Sequence, residues 1–380
     1  MLTDYFHPHL GGGVEKVVYE ISRRLIKLGC DVTVLSFNTD KSKSFENVEG
    51  VKVYRVNPVN LTESMGIQFA FSPEFPFYLM KTLKNEKPEI INANNRFFST
   101  TICAAALKNF LRRQLVTTMH LGSMRFERGL LSLGLNTYEK TISRWIVGKS
   151  DRIIAVGNAV REQAIVLGAS PDKVRIVFNG VDLDEFQPRR RSIVDEVPKK
   201  VIYVGRLIFN KGIMNLIEAA RIVLKEHPRV EFIIVGTGPL QREAETRVRQ
   251  LDMAHAFKFL GKVRSVSEIL SGCDIFVRPS LTEATPGGLA AIEAMSCGLP
   301  VIASRLSGTD EVIFNGETGL LIEPGNNRQL ADSLMFLLRD KQLASRLGEN
   351  ASSYIRNNFS WDKTAKLTLQ IYEECLGFGN

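Results

Sequence analysis

Two cations follow a short apolar run in the second half of the chain. The run Lys200–Val204 leads into Gly205 and Arg206, and Lys211 stands five residues further on. Cations at the carboxyl end of a buried parallel strand suit a diphosphate, because an arginine fork chelates phosphate oxygens and a lysine adds a point charge. Arg206 and Lys211 are therefore candidate anion ligands, and two solvated surface cations are the alternative.

A second motif combines a helix start with a carboxylate. Gly287 and Gly288 precede an apolar helix that begins at Leu289, and the amides at such a start can bind an anion. Glu293 lies inside this helix among small and apolar residues. A buried carboxylate requires a partner. The two vicinal hydroxyls of a ribose would satisfy Glu293, and a neighbouring lysine or arginine is the alternative.

Three features in other parts of the chain carry weaker indications. The run Gly11–Gly13 precedes a helix, where glycines let the backbone approach a ligand or simply form a flexible turn. His120 ends the apolar run Leu115–Met119 and is either a ligand for a sugar or phosphate or a structural histidine. The Asp-x-Asp pair at Asp182 and Asp184 follows a turn-forming Asn-Gly, which favours a structured linker over a metal site.

Short β-branched runs alternate with longer amphipathic stretches along the chain. The expected buried strands are Val32–Phe37, Ile90–Ala93, Leu115–Met119 and Arg152–Val156 in the first half, and Lys200–Val204, Glu231–Val235, Ile275–Arg278 and Val301–Ala303 in the second. This alternation predicts an α/β protein with parallel sheets that carry helices on both faces. Such sheets bind ligands beyond the carboxyl ends of their strands.

The segment 181–199 divides the chain, because it carries prolines, aspartates and an arginine run and has no apolar period. We predict an N-terminal Rossmann-like domain over residues 1–180 and a solvated linker over 181–199. A C-terminal Rossmann-like domain follows over 200–360, and a final helix over 361–380 packs back on the first domain. The stretch Met1–Phe6 is short and polar, so the first strand is expected to be truncated.

Composition restricts the class of protein. The 380 residues carry a formal net charge of +8, which is compatible with an anionic ligand, yet no arginine-rich arm indicates nucleic acid. The five cysteines are widely spread without a CxxC pair, so a zinc site or a disulfide framework is not expected. No apolar run reaches the roughly 20 residues of a membrane span, and no secretory signal is recognisable. These observations predict a cytoplasmic enzyme.

Together and in this order, the motifs resemble the retaining nucleotide-sugar glycosyltransferases of family 4, or "group 1", with the GT-B fold. The resemblance covers nearly the whole chain and rests on the glycine loop, on His120, and on the sequences FNGVD, VGRL…KG, VGTGP, PS…E…EAMSCGLPVIAS and NGETGLLIEPGN. It implies two Rossmann-like, doubly wound parallel-sheet domains that face a central cleft. It also implies a retaining transferase that moves a hexose-type sugar from an NDP-sugar to a glycan, lipid or small-molecule acceptor, with no metal and no cofactor.

The resemblance implies two sets of site residues. The catalytic set is His120, Arg206, Lys211 and Glu283, and the donor-binding set is Gly12, Gly13, Gly205, Gly287, Gly288, Leu289 and Glu293. In this scheme Arg206 and Lys211 hold the diphosphate and stabilise the leaving group, and Glu293 binds the ribose. His120 touches the transferred sugar near its anomeric carbon.

One departure from the family pattern affects the carboxylate that orients the transferred sugar. The two glutamates of the family usually stand eight positions apart, whereas Glu283 and Glu293 are ten apart. Strict spacing would place Thr285 in the first position. A longer loop keeps Glu283 there, and we favour Glu283 because loops absorb insertions readily.

Other functions remain open at this stage. An epimerase acting on a nucleotide sugar, or a non-catalytic protein that binds one, would use the same fold and donor site. The expected partners are a nucleotide-sugar donor and a glycan or lipid-linked acceptor, without nucleic acid. The segment Arg112–Lys149 mixes arginines and lysines with Phe, Leu and Trp, so contact with the inner face of a membrane is a further hypothesis, against a solvated loop and helix.

Overall fold

The computed structural model describes residues 1–9, 12–60, 70–122, 130–188, 198–282 and 288–378. The chain divides into two compact units. Unit 1 comprises Met1–Asn179 together with Trp361–Asn380, and unit 2 comprises Gly180–Ser360.

Strands and helices alternate through most of the described chain. The strands are β1 Thr33–Phe37, β2 Phe45–Val48, β3 Val51–Val56, β4 Val59–Asn60, β5 Ala70–Phe71, β6 Ile90–Asn94, β7 Gln114–Met119, β8 Arg152–Ala155, β9 Val174–Ile176, β10 Lys200–Val204, β11 Glu231–Val235, β12 Phe257–Gly261, β13 Ile275–Arg278, β14 Val301–Ser304 and β15 Leu320–Ile322. The α-helices are α1 Gly13–Lys27, α2 Phe75–Glu86, α3 Ser99–Leu111, α4 Leu130–Tyr138, α5 Arg144–Lys149, α6 Asn158–Val166, α7 Ile213–Glu226, α8 Gln241–Gln250, α9 Val266–Ser271, α10 Leu289–Ser296, α11 Asn327–Arg339, α12 Lys341–Asn358 and α13 Trp361–Leu376.

The strands of unit 1 form two sets that a short segment at residues 1–4 connects. Strands β6, β7, β8 and β9 are parallel in that order, and β1 pairs with β3, whose other edge carries the antiparallel β2. Leu2 bridges to both Leu35 of β1 and Ala93 of β6. Its amide donates to the carbonyl of Asn92 at 2.8 Å, and its carbonyl accepts from the amide of Asn94 at 3.0 Å. The stretch predicted to be too short for a full strand thus forms a one-residue bridge that links both sets.

Helix α13 completes the core of unit 1. Ile371 is buried with Val116, Ile154 and Val177 of that unit. The hydroxyl of Thr364 donates to the carbonyl of Phe178 at 2.8 Å. The final helix therefore packs on the strands of unit 1, although the whole of unit 2 precedes it in the chain.

Unit 2 contains a parallel sheet in the order β12–β11–β10–β13–β14–β15. Val201, Ile234 and Val277 of this sheet are buried with Leu216 of α7 and Leu334 of α11. Each such side chain contributes roughly 1.5–3 kcal/mol by leaving water. The chain extends the sheet in one direction from β10 to β12 and in the other from β13 to β15, so the strand order reverses between β10 and β13. Ligands of such sheets bind beyond the carboxyl ends of the strands at this reversal.

The start of the predicted linker is not solvated. Val181 is 2% exposed and Phe186 is 1% exposed. The hydroxyl of Ser296, in the last turn of α10, donates to the carbonyl of Phe186 at 2.7 Å. No periodic apolar pattern marks this segment, because Val181 and Phe186 anchor an irregular stretch that belongs to unit 2. Residues 189–197 lie outside the described part of the chain.

Candidate functional site

The strand-order reversal in unit 2 carries three positively charged side chains. Arg206 and Lys211 lie on the loop that follows β10, and Arg278 is the last residue of the neighbouring β13. The side chain of Arg206 is exposed and that of Lys211 is half-buried, whereas Arg278 is 7% exposed. The sequence pointed to the first two residues and not to Arg278.

Backbone hydrogen bonds fix the loop that carries Arg206 and Lys211. The amide of Leu207 donates to the carbonyl of Thr237 at 2.9 Å, and the amide of Leu281 donates to the carbonyl of Asn210 at 2.8 Å. The buried hydroxyl of Tyr203 donates to the carbonyl of Arg206 at 2.9 Å. These hydrogen bonds connect the loops after β10, β11 and β13. The backbone that carries Arg206 and Lys211 is therefore held in place.

Gly212 explains how two of these loops approach each other. Its φ is +72°, in the left-handed region, and a Cβ at this position would lie 1.9 Å from the carbonyl oxygen of Pro279. No side chain fits at that distance, because only glycine combines this conformation with such close backbone contact. The Lys211-Gly212 pair of the sequence motif thus includes a glycine that holds the loop after β10 against the start of the loop after β13.

The charge of Lys211 depends on its surroundings. Burial, and then the positive charges of Arg278 and Arg206, lower the pKa of Lys211 from 10.5 to about 7. Desolvation and like charges both disfavour the protonated amine. Near neutral pH a substantial fraction of Lys211 is therefore uncharged in this structure, and a bound anion would favour its protonated form.

Arg278 lies against the start of α10. An ideal Cβ on Gly288 would be 3.1 Å from Nε and 3.4 Å from Nη2 of Arg278. On its other side the Nη1 group donates to the hydroxyl of the buried Thr309 at 3.5 Å. Burial lowers the pKa of Arg278 to about 10, so the guanidinium remains protonated at neutral pH. A charged residue ending the apolar run Ile275–Val277 is the signal that could have identified it.

The start of α10 offers backbone donors to a ligand. Gly288 is the N-cap residue and provides no side-chain cap, and Leu289 is the first helical residue. The amide of Ala291 already donates to the carbonyl of Gly288 at 3.2 Å. The amides before it lie too early in the helix to reach a carbonyl within it, and the helix dipole favours negative charge there. Glu293 lies one turn further along and is 8% exposed. The structure places Gly205 on the loop that carries Arg206 and Lys211. Gly288, Leu289 and Glu293 belong to α10, whose start lies beside Arg278.

Some predicted site residues lie outside the described part of the chain. These are Glu283, Gly287 and the alternative Thr285, together with Gly11 of the glycine run. The choice between Glu283 and Thr285 stays a prediction.

The remaining predicted residues belong to unit 1. Gly12 is the N-cap residue of α1, again without a side-chain cap, and Gly13 is its first residue. His120 follows β7, is 4% exposed, and places Nε2 3.2 Å from Oδ1 of Asn94. Burial lowers the pKa of His120 to about 4, so its imidazole is neutral at physiological pH. In this structure the neutral imidazole of His120 can form hydrogen bonds without carrying a charge.

A buried ion pair fixes the residues after His120. The side chain of Arg96 is fully buried and forms a salt bridge to Glu139 at 2.5 Å. Its guanidinium also donates to the carbonyl of Gly122 at 2.7 Å and to that of Leu121. Sequence reasoning missed Arg96, since its partners lie 25 to 43 residues further along the chain.

Comparisons with known proteins agree with this architecture. Two units built on parallel α/β sheets are the architecture of glycosyltransferases of the GT-B fold. The family profile described as "Glycosyltransferase Family 4" matches residues 11–185, and that described as "Glycosyl transferases group 1" matches residues 184–354. The chain belongs to the family-4 glycosyltransferases of the GT-B fold.

Individual relatives extend over almost the whole chain. An uncharacterized glycosyltransferase of Methanocaldococcus jannaschii is 29% identical over 98% of this chain and 97% of its own length. Among solved structures, sucrose-phosphate synthase from Thermosynechococcus elongatus has a TM-score of 0.79 at 23% identity, covering 96% of this chain and 94% of the other. HepE from Anabaena, solved in complex with UDP-glucose, has a TM-score of 0.77 at 21% identity, covering 99% and 98%.

Proposed function

We propose that this glycosyltransferase moves a hexose-type sugar from an NDP-sugar to a glycan, lipid or small-molecule acceptor with retention of the anomeric configuration. The observation that carries the proposal is the convergence of Arg206, Lys211 and the start of α10 at the strand-order reversal of unit 2. Two cations and a set of helix amides match the charge and the size of a diphosphate.

The chemistry that these groups support is departure of a nucleoside diphosphate. When the bond between the anomeric carbon and the phosphate oxygen breaks, the electron pair stays on that oxygen and the leaving group gains negative charge. Fixed cations and amides aimed at this charge lower the barrier, because they need no reorganisation during the reaction. A phosphate oxygen of the departing donor would then accept the proton of the acceptor hydroxyl, on the same face of the sugar.

Further roles follow from the family resemblance. Glu293 is buried in α10 and suits the ribose hydroxyls of the donor. The neutral His120 suits a hydroxyl of the transferred sugar. Glu283, or Thr285 in the alternative alignment, would orient the same sugar from the loop before α10.

We further propose that the reaction is independent of a divalent metal ion, since Arg206, Lys211 and the start of α10 would supply the positive charge that neutralises the diphosphate. Turnover in excess EDTA should equal turnover in added magnesium. A loss of activity in EDTA that magnesium restores would contradict this part of the proposal.

We also propose a cytoplasmic protein that contacts the inner face of a membrane through unit 1. Phe110 and Trp145 are 75% and 39% exposed, and Arg112, Arg113 and Arg144 beside them in the sequence are also exposed. These residues lie on α3 and α5 or directly after α3, and the two helices pack against each other. Exposed aromatic and basic side chains suit an anionic lipid surface. No helix in the described part of the chain has the length and apolar character of a bilayer span.

A donor screen is the direct test of the proposed function. UDP-glucose is the first probe, since the structurally similar HepE has been solved with it. UDP-, GDP- and ADP-sugars are compared by thermal shift, because a ligand of the folded state raises its melting temperature. A shift with one donor, followed by sugar transfer to an acceptor, would support the proposal. Absence of binding by every donor would contradict it.

The same screen separates the other two functions. An epimerase converts the bound donor into its epimer without an acceptor, which NMR of the incubated donor detects. A non-catalytic sensor binds the donor and leaves it unchanged across a broad panel of acceptors.

A further inference from the structure

The resemblance to family 4 leaves Arg278 without a role. We propose that Arg278 is a positioning residue of the diphosphate site, which holds the backbone that begins α10 and provides a third positive charge beside Arg206 and Lys211. This inference rests on the proposed function, since it concerns the same anion.

The contact with Gly288 carries the first part of the inference. The guanidinium lies close enough to the backbone that a Cβ on Gly288 would meet three of its atoms within 3.5 Å. On its other side the same group donates to Thr309, which lies in the short turn Thr309–Glu311 after β14. Arg278 therefore spans from β13 to both the start of α10 and the segment after β14. Its removal would release the amides that face the anion.

The charge of Arg278 carries the second part. Two positive charges act on Lys211 and lower its pKa, that of Arg278 from β13 and that of Arg206 from its own loop. A sugar nucleotide carries one negative charge on each phosphate, and the departing nucleoside diphosphate gains a third charge as its bond to the sugar breaks. Arg278, as the third cation, matches this additional negative charge. Because Arg278 is buried, its attraction to the departing diphosphate acts in a medium of low dielectric constant, where charges interact strongly.

The like charges also make the site responsive to its ligand. Arg278 lowers the pKa of Lys211 while the site holds no anion. An arriving diphosphate reverses this effect, because an opposite charge favours the protonated amine. Arg278 therefore helps to set the pH range over which the donor binds.

The test compares donor binding by the full-length wild type, Arg278→Met and Arg278→Lys from about pH 6 to about pH 9, a range in which both phosphates of UDP-glucose keep their charge. Affinity of the wild type should fall as the pH rises through about 7, where Lys211 loses its proton. Arg278→Met should bind the donor about tenfold more weakly at low pH. The decrease of its affinity with rising pH should occur at a higher pH than in the wild type. Arg278→Lys should keep the pH profile of the wild type. Arg339→Met is the matched control, since this arginine pairs with Glu226 on the surface.

Each outcome bears on the inference. An Arg278→Met variant with wild-type affinity and an unchanged profile would overturn it, since a residue that only supports the fold would not move the pKa of Lys211. If that variant fails to fold, Thr309→Val tests the positioning: it should weaken binding severalfold with the profile unchanged, and wild-type affinity would overturn the inference. If the wild type itself binds no sugar nucleotide, the proposed function fails first.

Discussion

The carboxylate of Asp4 accepts the amide hydrogens of Ser99 and Thr100, each at 3.0 Å, so a residue at the start of the chain caps α3. Asp4 is 2% exposed, and it follows the segment that bridges β1 and β6. A carboxylate at a helix N-terminus satisfies orphan amides and complements the helix dipole. The central segment of unit 1 and its helix α3 are thereby fixed together.

Loss of this cap should destabilise the protein. We expect Asp4→Ala to lower the free energy of unfolding of unit 1 by about 1 to 2 kcal/mol, because two buried amides lose their acceptor. Thermal unfolding of the full chain measures the effect. Asp40→Ala is the control, since that exposed carboxylate accepts hydrogen bonds from the amide and hydroxyl of the nearby Ser42 and caps no helix in the described part of the chain. Equal melting temperatures for the two variants would show that the cap is energetically unimportant.

The burial of Asp4 predicts a pH dependence of stability. Burial raises the pKa of this carboxyl from 3.8 to about 7, against the opposing effect of its hydrogen bonds. Between these values the folded protein binds a proton that the unfolded chain releases. The bound proton on Asp4 therefore contributes its full stabilisation of the folded state below about pH 4, and this stabilisation is lost as the pH rises through about 7. In Asp4→Asn the melting temperature should vary less over this range, and an identical slope would disagree with the raised pKa.

The two loop cations should be needed for turnover. Arg206→Ala and Lys211→Ala are each expected to reduce the rate of sugar transfer by about two to three orders of magnitude, the scale seen when a stabiliser of developing negative charge is removed. Steady-state kinetics with the donor identified by the screen measure the loss. Arg328→Ala serves as a control, because its side chain is exposed and pairs with Asp332 one turn away. A wild-type rate in either loop variant would remove that residue from the mechanism.

Donor binding should be accompanied by proton uptake near neutral pH. Lys211 has a pKa of about 7 in the structure, and an anion stabilises its charged form. Calorimetric titration in buffers of different ionisation enthalpy should therefore report a fraction of a proton taken up at pH 7. Lys211→Arg, which stays charged, should abolish this uptake. The same uptake in Lys211→Arg would assign it to another group.

Membrane contact should depend on the two exposed aromatic residues of unit 1. The double variant Phe110→Ser with Trp145→Ser should bind anionic vesicles at least about a hundredfold more weakly in a sedimentation assay at low salt, since each buried aromatic contributes roughly 1.5–3 kcal/mol and each 1.4 kcal/mol is about tenfold. Phe336→Ser is the matched control, because Phe336 is 51% exposed on α11 of unit 2. Equal sedimentation of all three proteins, or none by the wild type, would exclude this surface.

The sequence predicted the buried strands better than the edges of the sheets. The predicted bounds of β10, β11 and β13 are confirmed, because these strands are continuous apolar runs inside the sheet of unit 2. The edge strands β12 and β15 were missed. In β12 the buried and exposed residues alternate, with Lys258 and Leu260 outward, and β15 has only three residues. Neither presents the long apolar run that identifies a central strand.

The site could be predicted where its residues are close together in the sequence. Arg206, Lys211 and Glu293 were found because each stands at a fixed offset from a strand or helix end. Arg278 and Asp4 were missed because their partners are remote: Thr309 is 31 residues beyond Arg278, and Ser99 is 95 beyond Asp4. Their roles come from tertiary packing, which no local spacing records.

The position of α13 in unit 1 has a consequence for synthesis of the chain. Unit 2 is one continuous segment, Gly180–Ser360, and all of it precedes α13. A ribosome therefore releases every residue of unit 2 before it releases the helix that covers Val116 and Ile154. Because domains form their cores as they emerge, unit 1 begins before unit 2 and is completed after it, since one face of its core stays uncovered until α13 is synthesised.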